Sequence, residues 1–141
     1  MLHGNAVKMK KIVIVLLLLL LSGCGGVKEE NTEITYDLSS LNDTMAYSQL
    51  INIIKDPDDY LGKGIRLKGI YSASFNPFSQ SYNNTVTIQD NTQCCAQGIE
   101  FILKKGNSYP EDGTEITLYG VLDLYDEGKH SYAYLKDAVI E

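Results

Sequence analysis

From Gly64 onward, apolar residues recur at every second position, and no other feature of the chain restricts its fold as tightly. Ile65, Leu67, Gly69, Tyr71, Ala73 and Phe75 fall on one face of a long first strand. Val86 and Ile88 alternate in the same way through a second strand over Thr85–Gln89. Ile99, Phe101 and Leu103 do so through a third over Ile99–Leu103. A fourth strand covers Glu115–Tyr125 and is interrupted by Gly120. Asp126-Glu127-Gly128-Lys129 then reads as a hairpin turn into a fifth strand over Ser131–Leu135, which Ala138–Ile140 can extend. Polar loops separate the strands: Asn76–Asn84, carrying Phe78 and Tyr82, then Asp90–Gly98, then Lys104–Gly113. Gly69 inside its strand predicts a bulge or a bend. Five strands, with a glycine inside the long first and fourth, predict a mainly β fold closed into a small barrel. Closure removes the edges that an open five-stranded sheet would leave.

One short helix precedes the strands. Tyr47, Leu50, Ile51 and Ile54 stand at i, i+3, i+4 and i+7 within Thr44–Lys55, which predicts a single buried stripe. Asn42, Asp43 or Thr44 can cap it, and Asp56-Pro57 ends it, because a residue before proline avoids the α region. Asp56, Asp58 and Asp59 lack the spacing and closing glutamate of a calcium loop, so that stretch reads as a solvated turn.

The start of the chain has a different character. Lys8, Lys10 and Lys11 precede an unbroken Ile, Val and Leu run over Ile12–Leu21. This is the pattern of a secretory signal, and Met9 is an alternative start for it. A helix of about ten residues rises only about 15 Å, half of the bilayer hydrocarbon. Leu21-Ser22-Gly23-Cys24 closes the run and resembles the bacterial lipobox. That resemblance implies cleavage after residue 23, a diacylglycerol on the Cys24 thiol, and an extracytoplasmic domain held on the membrane. One acyl chain anchors marginally and two anchor stably. An ordinary signal with a chance cysteine is the competing reading. The expected organisation is a signal over 1–23, a lipidated cysteine and tether over 24–43, and a folded domain over 44–141. Within the tether Ile34, Tyr36 and Leu38 alternate, so its end can instead add an edge strand.

The chain of 141 residues carries 12 basic and 18 acidic side chains. Three of the basic ones lie in the signal, so the mature domain is more acidic still. Such a domain repels phosphate backbones, which proteins hold with Lys and Arg, and nucleic acid is not an expected partner. No G-x-S-x-G, H-E-x-x-H or phosphate-binding glycine loop occurs, and the mature chain keeps a single histidine, His130. No enzyme is expected.

Tyr60-Leu61-Gly62-Lys63-Gly64-Ile65-Arg66-Leu67-Lys68-Gly69 resembles the opening of OB-fold domains of the tRNA-anti-like kind, in which a short helix precedes the first strand. Gln89-Asp90 through Cys94-Cys95-Ala96-Gln97-Gly98-Ile99-Glu100-Phe101 resembles a stretch of small uncharacterised bacterial lipoproteins. Together these cover about 44–141 and imply a five-stranded OB-fold-like barrel preceded by one short α-helix. They imply a ligand face flanked by the 76–84 loop and the last hairpin turn, where Tyr71, Phe78, Tyr82, Tyr119 and Tyr132 are the candidates. The chain departs from nucleic-acid-binding OB-folds because its second and third strands carry no Arg or Lys. Tyr125 and Tyr134 can join the same groove for a sugar or a peptide, and cross-strand packing is the plainer use of all these tyrosines.

Cys94 and Cys95 are adjacent in a loop, and three uses compete. A vicinal disulfide would be strained, since neighbouring Cα atoms lie about 3.8 Å apart and ordinary disulfides span roughly 4.4–6.8 Å. Two thiolates can hold a soft metal ion such as Cu(I), completed by Asp90 or a partner. Otherwise both stay reduced, one packed inward and one at the surface. The sequence therefore predicts a lipid-anchored, non-catalytic binding or adaptor domain without a resident cofactor. Its partners would be the membrane, through Cys24, and an envelope protein or small ligand. A metal- or redox-linked accessory role through Cys94 and Cys95 is the alternative.

Overall fold

The computed structural model describes residues 33–141; the signal, Cys24 and the first part of the tether lie outside them. In chain order the elements are β1 (Ile34–Asp37), α1 (Asp43–Lys55), a 3₁₀ turn (Pro57–Tyr60), β2 (Gly64–Asn76), β3 (Ser81–Gln89), β4 (Ala96–Leu103), β5 (Glu115–Glu127) and β6 (His130–Ile140). Among the described residues the fold is mainly β with one α-helix. Among the described residues no helix is long and apolar enough to cross a membrane.

Everything is arranged around β2. Its first half, Gly64–Ile70, pairs antiparallel with β5, and its second half, Ile70–Asn76, pairs antiparallel with β3. β3 continues antiparallel onto β4, β4 parallel onto β6, and β6 antiparallel onto β5, so the pairing returns to β2. Five strands thus form a closed ring. Gly69 stands where β2 passes from one partner to the other. A Cβ there would lie 2.5 Å from the Thr87 carbonyl oxygen, so β3 comes too close for any side chain. The β2–β5 ladder runs through Gly69 without a register shift, so the expected bulge does not fall there. Gly120 serves a similar contact in β5, where a Cβ would lie 2.8 Å from Leu135 Cβ. The bulge falls on β6, at Asp137, whose φ is 50°.

β1 corrects the expectation of a tether up to residue 43. Because β3 takes up only the second half of β2, the first half has a free edge, and Ile34–Asp37 fills it in parallel. The Leu38 amide donates to the Arg66 carbonyl at 2.7 Å, and the Leu38 side chain is buried. Arg66 also bonds Asp37 and Glu141, tying β1 and the last residue to β2. Such partly exposed pairs contribute about 0.2–1 kcal/mol each.

The core is continuous from helix to ring. Leu50 and Ile53 of α1 meet Ile65 and Leu67 of β2, Val86 of β3, Phe101 of β4, Leu118 and Leu122 of β5, and Leu135 of β6. Burying each such side chain stabilises the fold by roughly 1.5–3 kcal/mol. α1 lies on β3 and β4, and Asn42 caps it by accepting the Met45 amide at 3.0 Å. Its buried stripe is Ala46, Leu50 and Ile53, with Tyr47 and Ile54 flanking. Ile51, expected inside, is only half-buried. The stripe differs from the expectation in that Ala46 and Ile53 take the buried places and Tyr47, Ile51 and Ile54 only flank it.

The expected 76–84 loop is shorter in fact. Phe75 pairs with Tyr82 and Asn76 with Ser81, so Tyr82, Asn83 and Asn84 belong to β3 and only residues 77–80 turn. Replacing Gly69 with valine, a good strand former, should lower the unfolding free energy by about 1–3 kcal/mol through overpacking. Urea denaturation measures this, and an unchanged midpoint would contradict the close approach to Thr87.

Candidate functional site

Two places on the surface gather polar and aromatic side chains with a shape that can hold something. The first is a groove of about 280 Å³ between the β2–β3 hairpin and the β5–β6 hairpin, floored by β4. Strand alternation explains its lining. Ile99 and Phe101 point inward, so Glu100 between them points out, as do Tyr125 on β5 and Tyr134 on β6, while Asn84 shares the parity of Val86 and joins the lining through its bond to Tyr71. Tyr125 is the centre of the arrangement. Its hydroxyl donates to Glu100 Oε2 at 2.8 Å, its ring stacks on Tyr132 at 5.5 Å, and Tyr134 meets it edge-on at 5.7 Å. Burial first, then the bond to and charge of Glu100, push the Tyr125 phenol up to about 12. The charged side chains of the lining are Glu100 and Glu127, both acidic.

The five expected ligand-face residues divide. Tyr82 lines the groove and is packed edge-on against Phe75 at 5.3 Å. Phe78 stands at the tip of the neighbouring hairpin, 96% exposed. Tyr132 backs the groove through its stack on Tyr125. Tyr71 does not belong to the face: it is buried against Phe101 and Tyr109, with its hydroxyl donating to Asn84 Oδ1 at 2.8 Å. It lies on the inward face that its own strand alternation marks, and Tyr109 of the 104–113 loop covers it. Tyr119 is on β5 beside Arg66 and Gly64, where a Cβ on Gly64 would come 2.6 Å from its hydroxyl, and it does not line the groove. Glu100 is the groove residue that the sequence reading does not single out. Its signal was available, as the outward position between Ile99 and Phe101.

The second place is the β3–β4 turn. Asp90 follows the end of β3; its amide donates to the Cys95 carbonyl at 3.0 Å and its carbonyl accepts from the Gln93 amide at 2.9 Å. Gln93 takes φ of 57°, folding the turn back so that both cysteines reach Asp90. Cys94 and Cys95 are exposed free thiols with their Sγ atoms 3.3 Å apart. Cys94 Sγ is 3.7 Å from Asp90 Oδ2, and the Thr92 hydroxyl lies 2.8 Å from that oxygen and 3.0 Å from Cys94 Sγ. From α1, the Tyr47 hydroxyl bonds the Cys95 thiol. The hydrogen bond and charge of Cys94 push the Cys95 thiol up, while the Thr92 hydroxyl leads in holding the Asp90 carboxyl down. His130 is at the other hairpin, against Tyr132, and takes no part. Among the described residues Asp90, Cys94 and Cys95 are the group of acidic, thiol or imidazole side chains converging closely enough to hold a metal ion. The aspartates of the 56–59 turn do not converge.

No family model matches the chain, and no curated protein matches it. Among solved structures, it is similar to the crystal structure of a "putative nucleic acid-binding lipoprotein" from Klebsiella pneumoniae subsp. pneumoniae MGH 78578. The identity is 20% and the TM-score 0.43, over 65% of this chain and 81% of that one. A likeness so slight carries neither fold nor ligand across.

Tyr125 gives this site a pH signature. Its folded phenol titrates at about 12, above the ordinary value of 10.0 for an unfolded tyrosine. The stability it contributes is therefore complete below pH 10.0 and is lost as pH rises through about 12. Tyr125→Phe should remove that part of the alkaline loss, measured by urea denaturation across this range. An unchanged alkaline slope would contradict the Glu100 bond.

Proposed function

We propose that this chain is a lipid-anchored, extracytoplasmic binding domain of the OB-fold-like kind, acting without catalysis on a ligand held in the groove beside Tyr125. The observation that carries the reading is the composition of that groove. Three tyrosine rings (Tyr82, Tyr125 and Tyr134) offer flat apolar surface, and Asn83, Asn84 and Glu100 offer hydrogen bonds. Flat rings among acceptors and amides suit a hydroxyl- or amide-bearing ligand of neutral or positive charge. A phosphate would meet Glu100 and Glu127 with no Lys or Arg in the lining, so nucleic acid is disfavoured.

The OB-fold-like description rests on strand order. β2, β3, β4, β6 and β5 close on β2, and β4–β6 is the parallel pair. In folds of that order, the face between the first and last hairpins is where ligands are held. Here the β2–β3 and β5–β6 hairpins take those places. The lipobox-like Leu21-Ser22-Gly23-Cys24 supplies the anchor in this reading, and the membrane is the first partner. An envelope protein or small ligand is the second. The resemblance of 60–69 to OB-fold openings and of 89–101 to small bacterial lipoproteins supports this reading.

The test is a titration of the chain, followed by amide NMR shifts, with neutral saccharides, a cationic peptide and a single-stranded oligonucleotide. A saccharide or the peptide should shift the amides of Glu100, Tyr125 and Tyr134. Tyr125→Ala should weaken that binding at least about tenfold, or about 1.4 kcal/mol. Tighter binding of the oligonucleotide, or shifts confined to other surfaces, would refute the groove. Turnover of any ester, peptide or glycoside in the same panel would refute the non-catalytic part.

A further inference from the structure

The turn that joins β3 to β4 has a composition that packing does not account for. Free cysteines are among the most buried of residue types, yet Cys94 and Cys95 are both exposed. The expectation of one thiol packed inward is therefore not met. A disulfide between neighbours would be strained, and the two sulfurs stand as free thiols. What the turn does instead is bring soft and hard donors to one point. The two Sγ atoms and an Asp90 oxygen all lie within 4.8 Å of one another.

We propose that Asp90, Cys94 and Cys95 form a binding site for a thiophilic metal ion, Zn(II) or Cu(I), open on one side to solvent or to a partner's ligand. Metal–thiolate bonds are about 2.3 Å, so one ion can reach both sulfurs at their 3.3 Å separation with an angle of about 90° between the bonds. The Asp90 carboxylate is the third ligand, and its direction is set by Thr92 and by the backbone bonds of the turn. Tyr47 of α1 is a positioning residue, its hydroxyl bonded to Cys95. On binding, the thiol protons pass to solvent and both sulfurs become thiolate ligands, with no change of oxidation state. Metal must displace the thiol protons, so affinity tightens as pH rises from weakly acid toward alkaline.

The experiment uses the full chain in detergent with Cys24→Ser as background, so that Cys94 and Cys95 are its remaining thiols. Zn(II) is titrated against a chromophoric zinc chelator, and Cu(I) against a copper(I) chelator under reducing conditions. The proposal expects one equivalent of at least one ion, tighter at higher pH, with the two thiols protected from alkylation. Binding should vanish in Cys94→Ser/Cys95→Ser and weaken about 10–100-fold in Asp90→Asn. Because both cysteines are exposed and Asp90 is half-buried in a turn, circular dichroism should show these variants folded. Binding that survives in the double variant would overturn the proposal. So would failure of both ions to bind stoichiometrically, or an exported chain whose mass is lower by the two thiol hydrogens and which resists alkylation. None of these outcomes bears on the groove beside Tyr125, so the two readings fail separately.

Discussion

The structure depends on one strand being shared. β2 gives its first half to β5 and its second half to β3, and Gly69 is the point where the change of partner becomes sterically possible. A strand that served one neighbour along its whole length would leave the sheet open, with β5 and β3 both at edges. Sharing closes the ring instead, and buries one face of every strand in it. The free edge left beside Gly64–Arg66 is then covered by β1. That single arrangement also sets the β2–β3 and β5–β6 hairpins at the sides of one groove, with β3 leaving β2 at Ile70, the residue where β5 joins it.

Much of this was legible from period two alone. Ile65, Leu67, Val86, Ile88, Ile99 and Phe101 are all buried where alternation places them, and Gly69 marks the close approach to β3. Other parts were not legible for definite reasons. β1 was legible only as the alternative that Ile34, Tyr36 and Leu38 offered, because it is four residues long and what makes it a strand is an edge created by residues some thirty positions later. The buried stripe of α1 includes Ala46, which a count of large apolar residues passes over. Tyr82 was assigned to a loop because Asn83 and Asn84 are weak strand formers, and pairing with Ser74 and Ala73 overrides that preference. Tyr71 was placed in the ligand face although its own alternation with Ile65 and Leu67 points it inward. Strand parity decided correctly where residue type misled.

The candidate sites follow from the same logic. Parity turns Glu100, Tyr125 and Tyr134 outward to one surface, giving a groove that is aromatic, amide-rich and acidic. The thiol cluster owes nothing to parity, which would send neighbouring residues to opposite faces. It exists because residues 90–95 leave the strand and turn, with Gln93 in the left-handed region. α1 connects the two halves of the account: its inner face completes the core, and Tyr47 on its flank reaches the turn.

The central claim is that β2 is held on both halves at once, and native-state amide hydrogen exchange tests it most directly. If the ring is closed, amides of β2 bonded to β5 and those bonded to β3 open together, at the free energy of global unfolding. One half exchanging as fast as the exposed hairpin tip at Phe78, while the other stays protected, would mean an open sheet. The groove between the hairpins would then lose its basis.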